Sequence, residues 1–195
     1  MKEYQLLIVP KQINQDPASM TKKDVKIYYD WFISIKDERL RMFNKAVFDT
    51  EEVELLVDNL EKVSEFFSGN IAARKLSEEE ISLEREKLPN QLKTIHKVPD
   101  YELIEPTYSI MFDVGIYFSE LLRKEIPGLE WGKSDKLKSD VSYGKPVLKK
   151  DGVFVTFFPQ NIMHIAAMQM YKKTFKEGRM LELYQTWKDN FLGIK

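Results

Sequence analysis

Cysteine is missing from all 195 residues, and only two histidines are present. The first absence removes disulfides, thiolate metal sites and thiol nucleophiles together, and it fits a reducing compartment, so a cytoplasmic location is expected. The second leaves a zinc site to His96, His164 and carboxylates drawn from distant elements, with no short ligand spacing to suggest one. Long apolar runs are missing too. The stretch Leu6-Leu7-Ile8-Val9 is too short for the apolar core of a signal peptide, and nothing approaches the ~18 apolar residues of a membrane-spanning helix. Neither secretion nor a membrane partner is expected. The eight glycines are scattered among turns and ends, so no G-x-G-x-x-G or G-x-x-x-x-G-K-[ST] loop cradles a phosphate and no G-x-S-x-G elbow presents a serine. No cofactor is implied. A net charge of −1 lacks the basic excess of a general nucleic-acid binder, so nucleic acid is not the expected partner.

What is present describes an ordinary globular chain. Hydrophobic residues at 43% and aromatics at 12% are far above what a disordered segment carries, and the length suits one domain spanning 1–195. The charge is segregated along it. Asp49 to Glu86 holds 12 acids against 4 bases, whereas Lys133 to Arg179 holds 10 bases against 4 acids. Blocks of this kind are commonly solvated helix faces and lysine-blunted sheet edges, and here they also offer a docking surface.

Residues 4–9 read as a short strand. Thr21 with Asp24 forms a variant capping box for a helix over about 22–47, with Val25, Tyr28, Trp31, Phe32 and Ile35 at helical spacing and a possible break near Lys36-Asp37. Asp49 or Thr50 caps a second helix through about Ser68, stopped by Gly69. A regular capping box, Ser77 with Glu80, starts a short third helix that ends before Pro89. The pattern from Pro89 to Pro106 is weak, with at most an irregular helix near 91–96. Pro106 opens a fourth helix that is apolar on most sides and therefore central. Leu129 to Gly132 reads as a strand, with 141–143 as another, and Asp151-Gly152 reads as a type I′ turn pairing 146–150 with 153–158. Pro159 opens a fifth helix carrying Ile162, Ile165, Ala166, Met170 and Tyr171, and a last helix spans about 180–191. The expected fold is α+β: about five or six helices packed around and beside a small antiparallel sheet, with a hairpin near 146–158.

Candidate chemistry is sparse. Asp113 interrupts the apolar fourth helix, with Tyr117 one turn on and Glu120 two turns on. On one face the three could line a helix-sheet pocket, Asp113 as base or ligand and Tyr117 as donor, and a small-molecule enzyme or sensor would use them with a lysine. The plainer role for Asp113 is a polar seam paired with a lysine or a backbone group. Glu54, Asp58, Glu61 and Glu65 fill the faces of the second helix that its apolar stripe leaves free, and Tyr29 lies off the core face of the first helix. These five are the candidate partner-binding residues. Trp131 has the setting of a sheet-helix core residue. The lysines at 133, 136, 138, 145, 149 and 150 could meet phosphate or an acidic partner, although Tyr143 is the only aromatic interleaved with them.

The succession Asp113-Val114-Gly115-Ile116-Tyr117-Phe118, then Pro127-Gly128-Leu129-Glu130-Trp131-Gly132, then Lys145-Pro146-Val147-Leu148 resembles a group of uncharacterised bacterial proteins with no settled activity, over about the last half of the chain. Some small bacterial α+β proteins of this kind look like immunity partners of secreted toxins. The resemblance therefore implies a protein partner, with a basic toxin domain as the concrete case, and it carries no catalytic residues across. An acidic block that steers towards a basic surface agrees with that expectation.

Overall fold

The computed structural model describes residues 4–88, 90, 91, 93–95 and 97–194. The Thr21 hydroxyl accepts the Asp24 N–H at 3.2 Å while the Asp24 carboxylate accepts the Thr21 N–H at 2.8 Å, which satisfies donors otherwise orphaned at a helix start. Helix α1 then runs unbroken over Lys22–Phe48, through the Lys36-Asp37 step. Its buried residues Tyr28, Phe32, Leu40, Phe43 and Val47 make one stripe, and Asp49 ends it in the left-handed conformation. The expected second helix begins later than its periodicity implies. Asn44 Nδ2 donates to the carbonyls of Thr50 and Glu52, at 2.9 and 2.5 Å, and so holds 51–56 as a loop whose Val53 and Leu55 still pack on the core. A 3-10 turn at Val57–Asn59 leads into α2, Leu60–Gly69, with Gly69 as its last residue and Asn70 as its cap.

Strand β1, Ala73–Lys75, is followed by α3, Glu78–Lys87, which starts on the expected Ser77–Glu80 capping box. Strand β2, Tyr101–Leu103, pairs antiparallel with β1, Ala73 facing Leu103. The described residues between α3 and β2 form turns at 90, 91 and 93–95 and irregular chain at 97–100, and His96 and Pro89 lie outside the described residues. Helix α4, Thr107–Glu125, begins one residue after Pro106, and 14 of its 19 residues are buried. It is the centre of the core, touching α1, α2, α5, α6 and the strand that follows.

Strand β3, Leu129–Lys133, pairs antiparallel with β4, Pro146–Lys150, Leu129 facing Lys150 and Lys133 facing Pro146. The hairpin therefore closes through the 134–145 loop and not through Asp151-Gly152. Gly152 alone has positive φ, 75°, and Val153 N–H donates to Lys150 O at 3.1 Å, the signature of a type II turn rather than type I′. That turn sends 153–156 away from β4, and only Phe157 returns to bridge Leu148. Residues 141–143 are turn, not strand, and 4–9 make no ladder. Gly144 explains the close fit of the loop on α1. At φ 69° it sits where an added Cβ would lie 2.6 Å from Val25 and 2.9 Å from Met20.

Helix α5, Pro159–Tyr171, crosses α4 at Gly115, where an added Cβ would stand 3.3 Å from Pro159. Its buried face is Met163, Ala166, Ala167 and Met170, so Ile165 and Tyr171 point outward, while Ile162 and His164 are half-buried. Helix α6, Arg179–Leu192, buries Met180, Tyr184 and Phe191, with Trp187 against Phe157. Among the described residues the chain thus has six α-helices and two antiparallel sheets of two strands each, an α+β arrangement, and no helix is long and apolar enough to cross a membrane.

Candidate functional site

Asp113 enters the core because α4 presents it to α1. Its carboxylate accepts from both Arg39 Nε, at 2.8 Å, and Arg39 Nη2, and also from the Tyr4 hydroxyl at 2.5 Å. Arg39 further donates to the carbonyl of Gln5 at 3.0 Å. Asp113 is fully buried. Burial pushes its carboxyl up to about 6 against the opposing pull of Arg39 and Tyr4, so it is ionised at neutral pH, and burial beside that carboxylate drives the Tyr4 phenol far above its ordinary range. A fork-shaped guanidinium on a carboxylate is the geometry a desolvated charge requires. This node staples the N-terminal segment across α1 and α4. Leu7 N–H, donating to Ser109 Oγ at 2.7 Å, is a second staple.

The other two members of the sequence triad go elsewhere. Tyr117 donates to the carbonyl of Glu54 at 3.2 Å. Glu120 is 13% exposed and accepts from Trp131 Nε1 at 2.7 Å and from Arg123 Nη1 at 3.0 and 2.7 Å, with Lys36 Nζ at 3.5 Å. Trp131 is half-buried, edge-on to Phe32 at 4.7 Å. Asp113, Tyr117 and Glu120 therefore belong to three separate polar nodes that fasten α4 to the N-terminal segment, the 51–56 loop and β3. None of them lines either cavity described next.

The N-terminal segment runs between two cavities. The first, about 1250 Å³, is a wide cleft lined by Tyr4, Gln5 and Leu6, by Glu38, Arg41, Met42 and Lys45 of α1, and by Phe66, Asn70 and Glu105 among others. The second, about 430 Å³, lies on the side of Leu7 and Val9 and is mostly apolar, with five aromatic residues in its lining and Lys145, Gln15, Glu105 and Gln160 as its charged and amide groups. Lys145 donates to the carbonyl of Gln15 and lies 4.9 Å from the centre of the Tyr28 ring, and burial holds its ammonium down to about 8. Sequence reasoning placed Lys145 in a basic series and missed its pocket, because its neighbours come from residues 7–31, 105–112 and 158–160.

Glu54, Asp58, Glu61 and Glu65 are all exposed, and none forms an ion pair among the described residues. Asp58, Glu61 and Glu65 follow at three- and four-residue spacing, which stacks them along one side of the turn and α2. Lys62, the one base of α2, lies 5.0 Å from the Phe48 ring centre. Tyr29 is instead half-buried and tied to β3, donating to Trp131 O at 2.8 Å beneath Lys133. The lysines form no single stripe: Lys149 pairs with Asp135 at 3.0 Å and Lys150 reaches the carbonyl of Phe191 at 3.4 Å. His164 is held below its usual range by burial. Among the described residues no three His, Asp or Glu side chains gather where they could hold a metal ion. No protein-family model, curated protein or solved structure matches the chain.

Proposed function

We propose that this is a cytoplasmic binding protein of the bacterial immunity type, acting by occluding a macromolecular partner with a basic surface, neutralisation of a basic toxin domain being the concrete form. The observation that carries the reading is the group Glu54, Asp58, Glu61 and Glu65: four exposed carboxylates left without counter-ions among the described residues, in a chain whose interior acids are all engaged. Uncompensated surface charge of one sign raises encounter rates with a complementary surface. Leu56, 44% exposed between Glu54 and Asp58, adds an apolar contact within a polar rim. The backbone beneath is already fixed, since Tyr117 holds Glu54 O and Lys124 holds Leu55 O at 2.9 Å, so little ordering cost remains for binding. The alternative, a small-molecule enzyme or sensor with a helix-sheet cleft around Asp113 and Tyr117, has less support. Both Asp113 oxygens are taken by Arg39 and Tyr4, and no acid-base pair of the triad converges on a cavity.

Parallel capture from lysate of the source cells at low salt, with wild type and with Glu54→Lys/Asp58→Lys/Glu61→Lys/Glu65→Lys as baits, tests the proposal. The expected result is a basic partner that elutes with salt from wild type and is lost from the fourfold variant. A partner retained equally by both baits overturns it.

A further inference from the structure

We propose that the second cavity binds a small aromatic carboxylate. Its 430 Å³ lies towards the lower end of ligand pockets, which run from roughly 300 to 1,000 Å³, so it suits one or two fused rings and is too small for a folded segment. The walls favour a flat apolar body. Tyr28, Trp31, Tyr108, Phe112 and Phe158 contribute five aromatic rings from α1, α4 and the start of α5, and ring faces and edges pack best against another ring.

Two groups make the cavity favourable to a negative charge. Lys145 uses one donor on the Gln15 carbonyl and has no carboxylate within ion-pair distance among the described residues, although an ammonium carries three donors. Burial outweighs the pull of the nearby Asp16 carboxylate and lowers its basicity, as for a half-buried cation with no direct ion-pair partner among the described residues. The start of α5 is a second positive element: Phe158 supplies no side-chain cap, Pro159 has no N–H, and the Gln160 and Asn161 N–H groups carry the positive end of the helix dipole. Glu105 is the one acid in the lining, and its carboxylate already accepts from Ser109 N–H at 3.2 Å and Ser109 Oγ at 2.8 Å, on the wall shared with the wide cleft. None of this depends on the acidic face.

Calorimetric titration of the whole chain with 2-naphthoate, and with uncharged 2-naphthamide as the control, tests the assignment. The expected result is one naphthoate site per chain, bound about tenfold or more tightly than naphthamide, a preference that disappears in Lys145→Met. Should Lys145→Met not fold, chemical-shift mapping on wild type decides instead: naphthoate should shift the Trp31 indole and Tyr108 while leaving Trp187 unmoved. Equal binding of the two probes, no binding of either, or shifts confined to the wide cleft around Arg41 and Lys45 would each overturn it.

Discussion

The same functional group is used in opposite ways on α4 and on α2. Asp113 and Glu120, on the buried helix, are surrounded by Arg39 and Tyr4, or by Arg123, Lys36 and Trp131, and they fasten three neighbouring segments to the core. Glu61 and Glu65, on a helix with one face in solvent, carry no partner within the described residues. A carboxylate taken out of water must be paired at once, whereas one left in water keeps its charge available to another molecule. Burial therefore separates the acids that hold this fold from those free to recognise something else.

The sharpest way to break that comparison is to remove the innermost charge. Asp113→Leu should destabilise the protein by about 3–5 kcal/mol in urea unfolding, since Arg39 would remain buried without a counter-ion, and Arg39→Met/Asp113→Leu should recover much of the loss. A single variant within about 1 kcal/mol of wild type would mean that the node holds nothing. At the next level of burial, Glu120→Gln keeps the shape and an acceptor but removes the charge facing Arg123 and Lys36. It should cost about 1–2 kcal/mol by the same measurement. The fourfold reversal at Glu54, Asp58, Glu61 and Glu65 should cost less than about 1 kcal/mol, most of it from placing a lysine at Glu61 in the first turn of α2. A loss as large as that of Asp113→Leu would make these acids structural.

Much of this arrangement was legible in the sequence where the signals are local. The Thr21–Asp24 and Ser77–Glu80 boxes and Pro159 mark the starts of α1, α3 and α5 within a residue, because a cap acts over one turn of chain. The apolar residues around Phe112, Ile116 and Phe118, which cover most sides of the helix, mark α4 as central. Long-range choices were not legible. Asp151-Gly152 looks like a hairpin turn from its flanks, yet β4 takes β3 as its partner across the 134–145 loop. Strands β1 and β2 are three residues each and too short to show alternation. Asp113 stands out as an acid in the most apolar stretch of α4, but its partner lies 74 residues away, and no spacing announces that. Lys145 shows the converse, a residue of plain appearance that becomes distinctive only when Tyr28 folds beneath it.

A pH-dependent effect concerns that lysine. Burial lowers the folded-state ammonium to about 8, below its unfolded value, so the cost of keeping it charged is fully present at neutral pH. As pH rises above about 8 the folded state loses its proton first, and stability should increase relative to Lys145→Met between pH 7.5 and 9.5. Parallel urea midpoints for the two proteins would show Lys145 to be an ordinary solvated cation.

The central claim, that the outer acids act on another molecule, is tested most directly by stopped-flow association of the captured partner with wild type and with the fourfold variant over a range of salt. The account predicts a much slower on-rate for the variant at low salt, and a gap that closes as ionic strength rises and the Debye length falls below about 8 Å. Equal on-rates at low salt would contradict it.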